Sequence, residues 1–265
     1  MPCKALILDI DGTLIVPGAP CASPAVAKAV KAVQKRGIPV ILATGRTSFA
    51  ATPTILGGIR PDYGVYTNGA LILDGNGKAL FEDFLTPQQM YTLVDFCEDY
   101  DYSLAFCFND AYYVYVEYQQ MHDIYATLTG HNEYVLDGED QDRHLKSMPY
   151  AAFVSMPPEA VKAYGEKYPG LRFTPYDPTL YDVYKPENTK ADGLRRLLGQ
   201  LGIDPADTIA VGDGMNDLEM LQLAGCGIAM ANAPDALKAV ADRIAPDVKE
   251  DGLATVLDEI FGGEA

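Results

Sequence analysis

The chain has 265 residues, 48% of them hydrophobic, and a formal net charge of −17. Length and apolar content suit a substantial core in one large or two moderate domains and exclude a disordered chain. An acidic surface gives nucleic acid and anionic membranes nothing to bind, so neither is expected as a partner, and an anionic substrate must be met by local cations.

The first element is a strand. Ala5-Leu6-Ile7-Leu8 is an unbroken apolar run of the kind buried on both faces of a parallel sheet, and Asp9 and Asp11 follow it one residue apart. Strand alternation sends both carboxylates to one side, where like charges need a cation between them or a proton on one. Gly12 then lets the backbone turn sharply. An acid pair at the carboxyl end of a central strand is where an open α/β sheet takes its ligand; a solvated turn is the alternative at this point. A calcium loop fails on spacing, because glycine and glutamate are needed where Leu14 and Pro20 stand.

Ser23-Pro24 opens a helix with Val26, Val30 and Val33 on its buried face and Gly37 past its end. Residues 38–43 read as a second buried strand, a parallel crossover from the first, ending in Thr44-Gly45-Arg46. Hydroxyl, glycine and guanidinium together make an oxyanion cradle; a turn with a helix cap is the plainer reading. Residues 63–66 form a third strand, Thr67-Asn68-Gly69-Ala70 follows, and residues 71–73 and 79–81 read as a hairpin across Asp74-Gly75-Asn76-Gly77.

From residue 84 the character changes. Residues 84–186 carry sixteen acids against six bases, more than half of the excess charge, together with all three histidines and most tyrosines. Their pattern predicts a helix over 87–100, a hairpin over 103–117, a helix near 119–128, and a polar loop around 137–143. A strand over 150–155, a helix over 158–168, and strands near 171–174 and 180–184 complete the module. Tyrosines in such strands are first of all packing residues, with stacking on an aromatic or sugar ligand as the alternative. His122, His131 and His144 lack ligand spacing and read as packing or surface residues.

Thr189 caps the next helix, whose buried face is Leu194, Leu197, Leu198 and Leu201, with Gly202 ending it. Lys190 then stands at the first helical position, where the dipole disfavours a cation unless an anion is bound there; a solvated surface lysine is the alternative. Residues 208–211 form a strand delivering Gly212-Asp213-Gly214-Met215-Asn216-Asp217, and a helix runs through Leu218 and Leu221 to Gly225. This is a second acidic cluster at a strand end, or else an acidic helix start.

Four motifs now stand in fixed order, and together they resemble those of the haloacid dehalogenase superfamily of phosphohydrolases. Asp9-Ile10-Asp11-Gly12-Thr13 is similar to its first motif, Thr44-Gly45 to its second, Lys190 to its third, and Gly212-Asp213-Gly214-Met215-Asn216-Asp217 to its fourth. Thr67-Asn68-Gly69-Ala70, the segment from Gly227 to Ala233, and Asp251-Gly252-Leu253-Ala254 narrow the likeness to the Cof-type branch. One departure is Pro246-Asp247-Val248-Lys249, where that branch usually carries Ser or Thr before Asn.

The resemblance implies an α/β fold. Its core would be a three-layer, Rossmann-like domain with a parallel sheet over 1–83 and 187–265, and 84–186 an inserted α+β cap domain of the C2 type. It also implies a phosphatase that hydrolyses small phosphorylated metabolites through an aspartyl-phosphate. Asp9 is then the nucleophile and Asp11 the general acid and base; Thr44, the Gly45 amide, Lys190 and Asn216 hold the phosphoryl oxygens. Mg2+ is expected on Asp9, the backbone carbonyl of Asp11 and Asp213, with Asp217 behind it orienting its water shell. Arg46 is divided between phosphate contact and a structural salt bridge. A phosphomutase would share the aspartyl-phosphate but return isomerised sugar phosphate instead of free phosphate, and a binding module would show no turnover of an aryl phosphate.

The five cysteines are odd in number, scattered and without a Cys-x-x-Cys pair, which suits reduced thiols in the cytoplasm. The first apolar run is short and ends at Asp9, so no secretory leader is expected, and no run reaches membrane length.

Overall fold

The computed structural model describes residues 3–129 and 132–262 of the chain, so His131 lies outside the described residues. In chain order the elements begin β1 (Ala5–Leu8), α1 (Pro24–Lys35), β2 (Val40–Ala43), β3 (Tyr63–Tyr66), β4 (Leu71–Asp74) and β5 (Ala79–Glu82). There follow α2 (Pro87–Tyr100), β6 (Ser103–Cys107), β7 (Tyr112–Val116), α3 (Tyr118–Thr129), β8 (Val135–Asp137), β9 (Ala151–Ser155), α4 (Pro158–Lys167), β10 (Arg172–Asp177) and β11 (Leu180–Tyr184). The last group is α5 (Lys190–Leu201), β12 (Thr208–Gly212), α6 (Leu218–Leu223), β13 (Cys226–Met230), α7 (Asp235–Lys238), β14 (Arg243–Ala245) and α8 (Gly252–Phe261). The chain divides into two compact units, one of residues 1–81 and 189–265 and the other of residues 82–188.

The first unit is built on an eight-stranded sheet in the order β14-β13-β12-β1-β2-β3-β4-β5. Its strands from β14 to β3 run parallel, and β4 turns back antiparallel to β3. Every residue of β1 and β2 is buried, as their continuous apolar runs require of strands covered on both faces. Ala5, Ile7, Ile41 and Ala210 pack beneath Leu194, Leu197 and Leu198 of α5 and Met220 and Leu221 of α6. In α1, Val26, Val30 and Val33 are buried at the predicted spacing, and α1 packs against α8. Ser23 joins these two helices at their starts: its Oγ accepts from the Val26 amide at 3.1 Å and donates to Asp251 at 2.6 Å. The result is the mixed α/β, helix-covered parallel sheet that the strand grammar predicts.

The second unit holds a six-stranded sheet in the order β10-β11-β9-β6-β7-β8, antiparallel except where β8 joins β7 in parallel. One face carries a core of Met90, Leu93 and Phe96 from α2, Tyr164 from α4, and Phe106, Tyr115, Val154, Tyr181 and Val183 from the strands. The other face packs Val114, Phe153 and Leu180 with Met121, Ile124 and Tyr125 of α3. Tyr115 and Tyr164 are among the largest fully buried side chains, so these tyrosines serve packing. His144 sits between two phenols, 2.8 Å from the Tyr91 hydroxyl and 3.2 Å from that of Tyr115. The polar loop predicted around 137–143 is preceded by β8, an edge strand of which only Val135 is buried.

Within β11, Asp182 faces Phe153 on β9 and Thr174 on β10, and burial pushes its carboxyl up to about 6 from 3.8. Because the folded value lies above the unfolded one, ionising Asp182 costs stability; the cost is absent below pH 4, grows as pH rises toward 6, and is complete above. Asp182→Asn is therefore expected to raise stability at pH 7.5 by about 3 kcal/mol at most, with no gain at pH 4. Thermal melts of the two proteins at both pH values test this, and an equal difference at both would overturn it.

Candidate active site

The site grows from the end of β1. The strand stops at Leu8, one residue before the acids, so alternation no longer governs them. Asp9 remains in the sheet edge through its amide to Val211 at 3.0 Å and is 5% exposed, while the Asp11 side chain is 55% exposed. Gly12 has φ +78° and its amide donates to the Ile15 carbonyl at 2.9 Å; a Cβ there would overlap the Asp213 carboxylate. Glycine is thus what lets the first acidic loop lie against the second. Thr13, fully buried, donates from Oγ1 to Asp213 Oδ1 at 3.0 Å.

The end of β2 supplies Thr44, whose buried hydroxyl accepts from the Arg46 amide at 3.0 Å and keeps its own proton to donate. Arg46 forks onto Asp11, with Nε 2.7 Å from Oδ2 and Nη2 2.6 Å from Oδ1, and its Nη1 donates to the Ala50 carbonyl at 2.9 Å. Here the guanidinium forms the salt bridge of the two alternatives.

Beyond β3, Thr67, Asn68 and Gly69 take consecutive left-handed φ values of 49°, 51° and 104°. For a β-branched residue such as Thr67 this conformation is strained, by an order of 1 kcal/mol. A Cβ on Gly69 would run into the Thr189 carbonyl, so this turn lets the start of α5 approach. That approach aims Lys190 inward. Its ammonium is 1% exposed and lies 2.6 Å from Asp9 Oδ1 and 2.6 Å from Asp217 Oδ1. The surface-lysine alternative does not hold, and the two carboxylates offset the unfavourable helix-start position.

After β12, Asp217 is 0% exposed and fully engaged, Oδ1 by Lys190 and Oδ2 by the amides of Asp213 at 3.0 Å and Gly214 at 2.9 Å. Asn216 donates from Nδ2 to Asn68 Oδ1 at 3.3 Å. Two residues that sequence reasoning left without a role complete the network. One is Thr13; the other is Asn232 beyond β13, which donates to the Gly12 carbonyl at 2.9 Å and Asp213 Oδ2 at 3.0 Å. The Val248 amide, in the segment that departs from the branch pattern, donates to Asn232 Oδ1 at 3.0 Å. The signal for Asn232 was its place just past a strand in the same sheet as Asp9 and Asp213.

Asp9, Asp213 and Asp217 each offer an oxygen within 4.8 Å of the others. Burial pushes Asp9 up to about 8, with Lys190 pulling it back and Asp217 and Asp11 adding to the rise. Burial and then Asp217 push Asp213 up to about 6, against the Thr13 hydrogen bond. For Lys190, burial works downward, yet Asp217 and Asp9 hold it above the ordinary lysine value. Among the described residues, Lys190 and Arg46 answer two of the four carboxyl groups Asp9, Asp11, Asp213 and Asp217, leaving two negative charges when all four are ionised. All-oxygen donors with that surplus fit a hard divalent cation.

An open parallel sheet with carboxylates and a buried lysine at its carboxyl edge defines an α/β enzyme with an acidic centre. More particularly, the chain belongs to the haloacid dehalogenase-like hydrolases, whose family profile matches residues 6–257. It is similar to the protein named "Putative phosphatase YkrA" of Bacillus subtilis, 27% identical over 98% of each chain. Among solved structures, BT1666 of Bacteroides thetaiotaomicron, described among phosphatases of this superfamily, is 25% identical with a TM-score of 0.86, covering 97% of this chain and 94% of that one. A hypothetical protein of Geobacillus kaustophilus is 28% identical with a TM-score of 0.86, covering 97% of this chain and 98% of the other. No helix among the described residues is long and apolar enough to cross a membrane.

Proposed function

We propose that this hydrolase is a Mg2+-dependent phosphatase of small phosphorylated metabolites, working in the cytoplasm through an aspartyl-phosphate on Asp9. The observation that carries the reading is the convergence of Asp9, Asp213, Asp217 and Lys190 at the strand ends, with more carboxyl groups than cations among them. The odd number and scattered placement of the five cysteines support the compartment. In this reading residues 84–186 form a C2-type cap that selects the leaving group, and the chain's acidity speaks against a nucleic-acid partner.

An oxygen of Asp9 attacks phosphorus in line, forming the acyl-phosphate bond as the bond to the leaving oxygen breaks. Asp11 gives that oxygen a proton and then takes one from the water that attacks the aspartyl-phosphate, so inorganic phosphate leaves and Asp9 is restored. The Arg46 fork, in which both Asp11 oxygens accept, orients the carboxylate that takes the proton from water, and it must loosen when Asp11 carries the proton for the leaving oxygen. Lys190, the Thr44 hydroxyl, the Gly45 amide and Asn216 donate to the phosphoryl oxygens. Asp9, Asp213 and the Asp11 carbonyl would hold Mg2+, which when bound supplies neutralisation of the surplus charge and of the phosphoryl oxygens. Asp217 fixes the geometry of the loop behind them.

Phosphate release across a panel of sugar, cofactor and aryl phosphates tests the reading. Turnover is expected with Mg2+, falling at least about 100-fold on chelation and returning when the metal is restored. Full activity in chelator would contradict the metal, and isomerised sugar phosphate without free phosphate would make the enzyme a mutase.

A further inference from the structure

Asn68 has no part in the mechanism above, yet the chain goes to some trouble to place it. It is 5% exposed and stands in the middle of the left-handed run, where asparagine is tolerated better than other L-residues. Its neighbour Thr67 is not suited to that conformation, and the Thr67 hydroxyl is buried without a hydrogen-bond partner among the described residues. A strained segment that also leaves a polar atom unanswered is kept where its geometry brings a gain.

What the run accomplishes is the position of one carboxamide. The Asn68 amide donates to the Thr44 carbonyl at 3.1 Å, which draws the residue onto the second motif. Its Oδ1 accepts from Asn216 Nδ2 at 3.3 Å, which ties it to the fourth. Both its Nδ2 and Oδ1 lie 3.4 Å from where a Cβ of residue 45 would stand, so the carboxamide packs beside Gly45. A carboxamide nitrogen carries two donors, and among the described residues Asn68 Nδ2 meets no acceptor. A side chain nineteen-twentieths buried therefore holds unspent N–H groups beside Thr44, Gly45 and Asn216, the residues to which the proposed function gives the phosphoryl oxygens.

We propose that Asn68 is a further phosphate-binding residue, its Oδ1 holding the Asn216 carboxamide in place and its Nδ2–H donating to a phosphoryl oxygen. The role rests on the phosphatase reading. A purely structural Asn68 would join the two loops through Oδ1 and need no donor, which is where the two accounts part.

Two variants can exclude the donor role. Asn68→Asp keeps the size and the acceptor for Asn216 but removes both N–H donors and sets a negative charge against the phosphate. Asn68→Gly keeps the left-handed backbone at no steric cost and removes the side chain. Binding of inorganic phosphate to the Mg2+-loaded protein, read by titration calorimetry, is the measurement, with melting temperature as the control for folding. Phosphate affinity is expected to fall about tenfold or more in each variant that keeps a wild-type melt, as for a lost hydrogen bond to a charged group. A folded variant that binds phosphate as tightly as the wild type overturns the proposal. In the wild-type protein, independently of any variant, the Asn68 carboxamide proton resonances must move as phosphate is added; fixed resonances refute the contact. Wild-type protein that neither binds phosphate nor releases it from any ester removes the phosphatase reading itself, whereas tight wild-type binding with unaffected variants removes only the role of Asn68.

Discussion

Asp9→Asn is expected to lower turnover by about 10^5-fold or more, the scale seen when a covalent nucleophile is removed. The carboxamide has the size of the carboxylate and still offers Lys190 an oxygen in place of Oδ1, which the ammonium now meets at 2.6 Å. It cannot form an acyl-phosphate, so the loss falls on chemistry and leaves the fold in place. Stability should move the other way. Without metal, burial holds the Asp9 carboxyl at about 8 against 3.8 in the unfolded chain, so ionising it costs stability that is absent at pH 4, grows as pH rises toward 8, and is complete above. In chelator the asparagine variant should therefore melt higher than the wild type at pH 8 and level with it at pH 4. Phosphate release and thermal melts at the two pH values make the comparison. A variant with normal turnover places the nucleophile elsewhere, and one that melts lower at pH 8 means that Lys190 holds Asp9 ionised at net gain.

The parts of this site that could be read in the sequence are those whose chemistry is local. β1 and β2 are continuous apolar runs that end abruptly in Asp9 and Thr44, and such endings in a parallel sheet mark its ligand edge. Ser23 and Thr189 announce their helices because a cap needs only its own next turn. What stayed hidden depends on partners far along the chain. Lys190 has the local context of a surface residue and stands out only through the motif resemblance, because its burial depends on Asp9, 181 residues away. The left-handed run at Thr67 to Gly69 looks like any turn until the start of α5 lies against it. β8 and β14 are three-residue strands of which only Val135 and Ala245 are buried, too short for a periodicity to show. The alternation argument for Asp9 and Asp11 missed for a simpler reason: β1 ends before them, so one carboxylate turns inward to Lys190 and the other outward to Arg46.

Lys190→Met keeps the length and apolar stem of the side chain while removing the charge that two buried carboxylates share, and it is expected to cost both activity and stability. Turnover should fall by about 10^3-fold, the loss typical of a donor to developing negative charge. Because burial alone would lower the Lys190 value, its rise reflects the grip of Asp217 and Asp9, and that stabilisation is present throughout the range below the ordinary lysine value near 10.5. At pH 8 and above, where Asp9 ionises, loss of the ammonium leaves Asp9 and Asp217 buried and unpaired, at a cost of about 3–5 kcal/mol. Asp9 escapes its part by taking up a proton, so the difference from the wild type should shrink as pH falls from 8 to 5. Adding Asp217→Asn to the variant removes one of the stranded charges while an amide oxygen can still accept from the Asp213 and Gly214 amides. The double variant should therefore regain stability and regain no turnover. Melting curves and phosphate release on the single and double variants test both halves: a Lys190→Met protein as stable as the wild type at pH 8 would mean that the carboxylates were already neutral, and recovered turnover in the double variant would confine the lysine to a structural role.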